Sequence, residues 1–87
     1  MHTVELLEQA LAAVEELGYV VRQEWLGGSG GSCEFGGRKW LFIDLSLSTA
    51  EQLDQALSAL RQDPALAQLD LPRPLSSILR PRHRRAA

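Results

Sequence analysis

Little in this sequence lends itself to covalent chemistry. Among 87 residues there is one cysteine, Cys33, and there are two histidines, His2 and His83, at opposite ends of the chain. A lone cysteine forms no internal disulfide, which fits a reducing compartment. One cysteine and two distant histidines also give no ligand pair at the spacing of a zinc site, so no metal or other cofactor is expected. No apolar run approaches the roughly 18 residues that a membrane span needs. The opening MHTVELLEQALAAVEELGY is acidic and amphipathic, without the basic region and small-residue cleavage site of a secretory leader. The expected location is cytoplasmic. Aromatic side chains are few as well: two Trp, two Phe and one Tyr.

What is present is a globular composition, 45% hydrophobic and 23% charged. A chain of this size buries only roughly 60 to 65% of its unfolded surface, so association with a second copy would supply missing core. Charge is divided along the sequence. Residues 1–70 carry four basic side chains (Arg22, Arg38, Lys39, Arg61) against eleven acidic ones, whereas 71–87 carry five arginines and no acid. An acidic body repels nucleic acid, so any such binding, or binding to an anionic surface, would have to use Arg80, Arg82, Arg84 and Arg85.

Val4, Leu7, Leu11, Val14 and Leu17 fall on one helical stripe, with Glu5, Glu8, Glu15 and Glu16 on the other face. This predicts a helix over 3–17, with Thr3 as N-cap and Gly18 as its left-handed stop. YVVRQEWL (19–26) and SCEF (32–35) read as strands. Gly36 and Gly37 supply the two positive-φ residues of a tight hairpin turn into a third strand, RKWLFIDL (38–45). Both faces of that third strand are largely apolar, Trp40, Phe42 and Asp44 against Leu41, Ile43 and Leu45, so it is either central or meets another chain. Ser48 and Glu51 form a capping box opening a second helix over 49–62, ended by Asp63-Pro64. Beyond it the spacing of leucines predicts helical turns near 65–69 and 75–80, then a disordered tail.

Six of the seven glycines lie in LGGSGGSCEFGG, Leu26–Gly37. The phosphate-binding loop G-x-x-x-x-G-K-[ST] is matched in spacing by Gly31 and Gly36, but Gly37 and Arg38 stand where lysine and the hydroxyl belong. The dinucleotide fingerprint lacks its third glycine and precedes a strand instead of a helix. A wide bend followed by a hairpin turn accounts for the glycines. Cys33 has no nearby histidine to activate it as a nucleophile, and buried packing beside Phe35 accounts for it. Asp44, on an apolar strand just before a turn, reads as an acid that ends the strand and binds loop amides. Trp25 and Trp40 read as core between sheet and helices. Their competing role is as interface anchors, together with Leu41 and Ile43 on the other face of the third strand.

The stretch GGSCEFGGRKWLFIDLSLSTAEQLDQALSAL resembles small uncharacterised bacterial proteins with a GG-x-C-x-x-x-G…LF-[IV]-[DN]…E…AL pattern. More distantly, its order of hairpin, extended connection and helix is similar to the core of ImmA/IrrE-type metallopeptidases. That family's helix carries H-E-x-x-H, and here it reads AEQLDQALSAL, so the resemblance implies the fold without the catalytic site.

The expected architecture is α+β: one α-β-β-β-α domain over 1–71, with a three-stranded antiparallel sheet, both helices on one sheet face, and a Pro/Arg-rich segment over 72–87. Leu7, Leu11, Val14, Val21, Phe42, Leu53, Leu57 and Leu60 are its expected core. The expected function is a non-enzymatic interaction or regulatory module, with a homodimer or another protein as partner. Nucleic-acid binding through the arginines and a thiol enzyme using Cys33 are the alternatives.

Overall fold

A computed structural model describes residues 2–79. Helix α1 (Thr3–Glu16) precedes strands β1 (Tyr19–Glu24), β2 (Gly31–Phe35) and β3 (Arg38–Asp44). Helix α2 (Thr49–Gln62), a 3₁₀ turn (Pro64–Gln68) and helix α3 (Arg73–Leu79) follow. Helix α1 begins at Thr3 with His2 as N-cap, whose side chain makes no capping bond. It ends at Gly18, whose φ of +97° suits a residue without Cβ. Helix α2 starts on the capping box: Ser48 Oγ accepts from Glu51 N, and Glu51 Oε1 accepts from Ser48 N.

The sheet corrects one expectation. Its order is β1-β3-β2, with β2 antiparallel to β3 but β1 parallel to it, so the sheet is mixed and not an antiparallel meander. The apolar third strand takes the centre, and the short, glycine-bearing β2 takes an edge, where less side-chain packing is lost. The connection from β1 to β2, residues 25–30, crosses over the C-terminal end of β3. Gly36 and Gly37, with φ of +62° and +78°, join β2 to β3 as a two-residue loop requires.

One face of the sheet packs on the helices. Leu41 and Ile43 of β3 are fully buried there, in one cluster with Leu6, Leu7, Ala10 and Val14 of α1 and with Leu53, Leu57 and Leu60 of α2. Leu11 and Val21 are partly buried against that cluster. Phe42, an expected core residue, is not among its members. It alternates with Leu41 and Ile43 along β3 and therefore points to the opposite side. Packing also continues beyond Leu71, because Leu75 and Leu79 of α3 belong to the same core. At the near end of the sheet Lys39 Nζ lies 2.9 Å from the Asp63 carboxylate and 4.7 Å from the centroid of the Tyr19 ring. These contacts join β1 and β3 to the turn after α2. Among the described residues no helix is long and apolar enough to cross a membrane.

Candidate functional site

The register fixes which side chains share the outer face of the sheet. Cys33 pairs with Trp40 and Trp40 with Val20; Gly31 pairs with Phe42 and Phe42 with Arg22. Directly paired residues point to the same side. The outer face therefore presents Val20, Cys33, Phe35, Trp40 and Phe42, with Arg22 and Glu24 along the β1 margin. Trp40 and Phe42 stack with their rings 7° from parallel and centroids 6.0 Å apart. Trp40 Nε1 donates to the Phe35 carbonyl at 3.4 Å, which ties the stack to the end of β2. Phe35 is 74% exposed, and Cys33 is exposed beside it. Together with Arg22 these side chains line an open groove of about 420 Å³, which Glu34 borders from within β2. Arg22 donates to Glu24 at 2.8 Å, so the charges of the β1 margin are paired within their own strand.

The end of β3 is held differently. Asp44 is fully buried, and its Oδ1 accepts from Leu26 N at 3.0 Å, Ser46 N at 2.9 Å and Ser46 Oγ at 2.6 Å. Its other oxygen accepts from Gly28 N. Burial pushes this carboxyl up, but the Ser46 hydroxyl and the amides of Leu26, Ser46 and Gly28 override it and hold the group well below the usual carboxylate range. The Asp44 amide donates to Gln55 Oε1 at 3.0 Å. Asp44 thus clamps the 25–30 connection onto the strand end, as an acid binding loop amides should. With four donors converging on its two oxygens, its arrangement is that of a structural clamp.

The candidate interface residues separate. Leu41 and Ile43 lie at 0% exposure in the core, on the helix side of β3. Trp40 is half-buried on the outer face. Trp25, 76% exposed in the connection after β1, is not the core residue it was expected to be, because the strand ends at Glu24 and the chain leaves the sheet. Arg80, Arg82, Arg84 and Arg85 lie outside the described residues. Cys33 is exposed and not the buried residue it was expected to be, because it shares the open outer face with Trp40 and Phe35, and the described histidine, His2, lies apart from it beside α1. Among the described residues no group of three His, Cys, Asp or Glu side chains could hold a metal ion.

Phe35 and Phe42 are the site residues that the sequence reading passed over. The signal was in the hairpin: a two-residue turn at Gly36-Gly37 sets Cys33 opposite Trp40 and Phe35 opposite Arg38, so the aromatics of both strands share a face. Compared with protein-family models, curated proteins and solved structures, the chain matches none.

Proposed function

We propose that this chain is a small non-enzymatic interaction module that binds protein through the outer face of its sheet. The observation that carries the reading is Phe35, 74% exposed beside the Trp40–Phe42 stack, on a sheet face with no second layer among the described residues. Scattered apolar side chains are ordinary on a surface, but aromatic side chains gathered on one face are the composition of interface centres. Burying a phenylalanine of this exposure contributes on the order of 1.5 to 3 kcal/mol, enough for one anchor residue to dominate a modest interface. The groove beside it supplies a recess, and Arg22 gives it a polar rim.

The test is affinity capture from the host with the native chain and its Phe35→Ser variant in parallel. A protein other than a second copy that is retained by the first and lost by the second supports the reading. Equal recovery by both chains sinks it. Because Phe35 stands clear of the core, the variant should keep its far-ultraviolet circular dichroism and melt within a few degrees of the native chain.

A further inference from the structure

Strand β2 is an edge: the sheet order is β1-β3-β2 and no further strand follows it among the described residues. With a two-residue loop, Phe35 and Arg38 form the hydrogen-bonded pair that closes the hairpin. Alternation along the ladder then points the backbone groups of Gly31, Cys33 and Phe35 at β3, and those of Ser32 and Glu34 at the open side. Edge strands are commonly guarded by shortness, by charged side chains, Lys above all, by Pro or by a bulge; β2 is short and carries one charge, Glu34. GSCEF contains neither Lys nor Pro, and its five positions pair one to one with β3, without a bulge. The groove of about 460 Å³ between β2 and α2, lined by Gly30, Gly31, Ser32, Asp54 and Ser58 among others, stands open beside this edge.

We propose that a second copy of this chain pairs along that edge, β2 antiparallel to β2, with Cys33 opposite its own counterpart; the inference rests on reading the sheet as a protein-interaction surface. In this register Ser32 of each copy exchanges two backbone hydrogen bonds with Glu34 of the other, which uses all the outward donors and acceptors of the strand. Cys33 falls at a non-hydrogen-bonded position, where opposed Cα atoms approach to about 4.5 Å, within the range a disulfide spans. Phe35 of each copy lies opposite Gly31 of the other, and an aromatic ring covering a cross-strand glycine is a stabilising device of natural edges. The neighbouring registers are worse. Centring on Glu34 sets two carboxylates face to face, and centring on Ser32 carries Phe35 past the end of the partner strand. Directly opposed residues share a face, so the product is one six-stranded sheet whose outer side carries Trp40, Phe42 and Phe35 from both copies. Dimerisation doubles the proposed docking face instead of covering it.

The experiment is disulfide trapping in the full-length chain with diamide, which accepts the two electrons and two protons released when two thiols join. Three proteins are compared at equal, low micromolar concentration: the native chain, Ser32→Cys/Cys33→Ser and Glu34→Cys/Cys33→Ser. The register predicts that position 33 cross-links at least roughly tenfold faster than 32 or 34, because only at 33 does a residue meet its own copy. Equal rates at the three positions overturn the proposal, since collision alone produces them. Independently, Ser32→Pro removes an outward N–H that β3 does not use, so it should keep the fold by circular dichroism while abolishing concentration-dependent sedimentation. A native chain that sediments as a monomer at every concentration also overturns the dimer. The reading of the outer face is tested separately, by loss of a different partner on Phe35→Ser while Ser32→Pro still binds it.

Discussion

Replacing Gly30 by alanine tests how the β1–β2 connection is seated. Gly30 has φ of +147°, and a Cβ there would stand 2.9 Å from the Phe42 carbonyl and 2.7 Å from Gln55 Nε2. The carbonyl belongs to the central strand and cannot retreat, whereas the Gln55 amide can, at the expense of the bond its Oε1 accepts from Asp44 N. The backbone conformation costs about 1 to 3 kcal/mol for a residue with Cβ. Losing the Gln55 bond adds roughly 0.5 to 1.5 kcal/mol. Restricting the unfolded chain offsets about 0.4 to 1 kcal/mol. These sum to a net loss of about 0.5 to 4 kcal/mol, with a midpoint near 2 kcal/mol, which corresponds to a drop in Tm of roughly 8 to 16 °C for a domain of this size. Gly27→Ala is the control: φ is +68° and nothing lies within 4 Å of the added Cβ, so about 1 kcal/mol is expected. Urea unfolding followed by tryptophan fluorescence measures both variants. Adding Gln55→Ala to Gly30→Ala should recover little, because the Phe42 carbonyl remains in the way. If Gly30→Ala and Gly27→Ala unfold together, or if Gln55→Ala rescues fully, the close approach to β3 is not what requires glycine.

Acid should unfold the protein through two carboxylates. Asp44 is held low by its four donors against the effect of burial, and Asp63 is held low first by the Lys39 ammonium and then by the Ala65 amide. With folded pKa values below the unfolded value of about 3.9, their contribution is complete above that pH and is lost progressively as pH falls through the folded values. Asp44→Asn should therefore be less stable at neutral pH and show a flatter decline below about pH 4, read from urea midpoints across pH; an unchanged slope refutes the assignment. Leu75→Ala should cost about 2 to 5 kcal/mol, as much as Leu60→Ala, since both side chains lie at 0% exposure in one core. A near-neutral Leu75→Ala would show that α3 does not dock. Ser48→Ala should lose about 1 kcal/mol through the capping box and lower Tm by roughly 4 to 8 °C in a thermal melt.

Both long helices were legible in the sequence because their apolar stripes, the stop at Gly18 and the box Ser48-x-x-Glu51 are local signals. The role of Asp44 was legible for a similar reason: a short acid at a strand end beside glycines finds amides within a few ångströms. The parallel pairing of β1 with β3 was not legible. Whether six residues turn back beside their own strand or cross its neighbour is decided by which strand gains most at the centre, a comparison of burial between segments. The faces of β3 failed similarly. Leu41, Phe42 and Ile43 are all apolar, so alternation alone does not say which side meets the helices, and Trp40 and Phe42 ended outside because the aliphatic pair fills the helical layer. The same ambiguity displaced Phe42 from the expected core and put Leu41 and Ile43 among the expected interface residues.

The two misreadings have one structural cause, and it bears on function. A meander would have made β2 central and put its backbone out of reach. With β3 central, β2 becomes an edge whose outward amides belong to Ser32 and Glu34, and the crossing connection that allows this is tethered by Asp44 to Leu26 and Gly28. Loosening that tether should therefore reach the β2 edge before it reaches the core, because Gly30 and Gly31 join the clamped loop directly to the strand. In Asp44→Asn, hydrogen exchange at Cys33 and Phe35, whose amides face β3, should quicken more than at Leu57 or Leu60, and trapping of Cys33 by diamide should slow even where the protein stays folded. Uniform acceleration at all four amides would mean that Asp44 stabilises the domain as a whole and does not set the geometry of its edge.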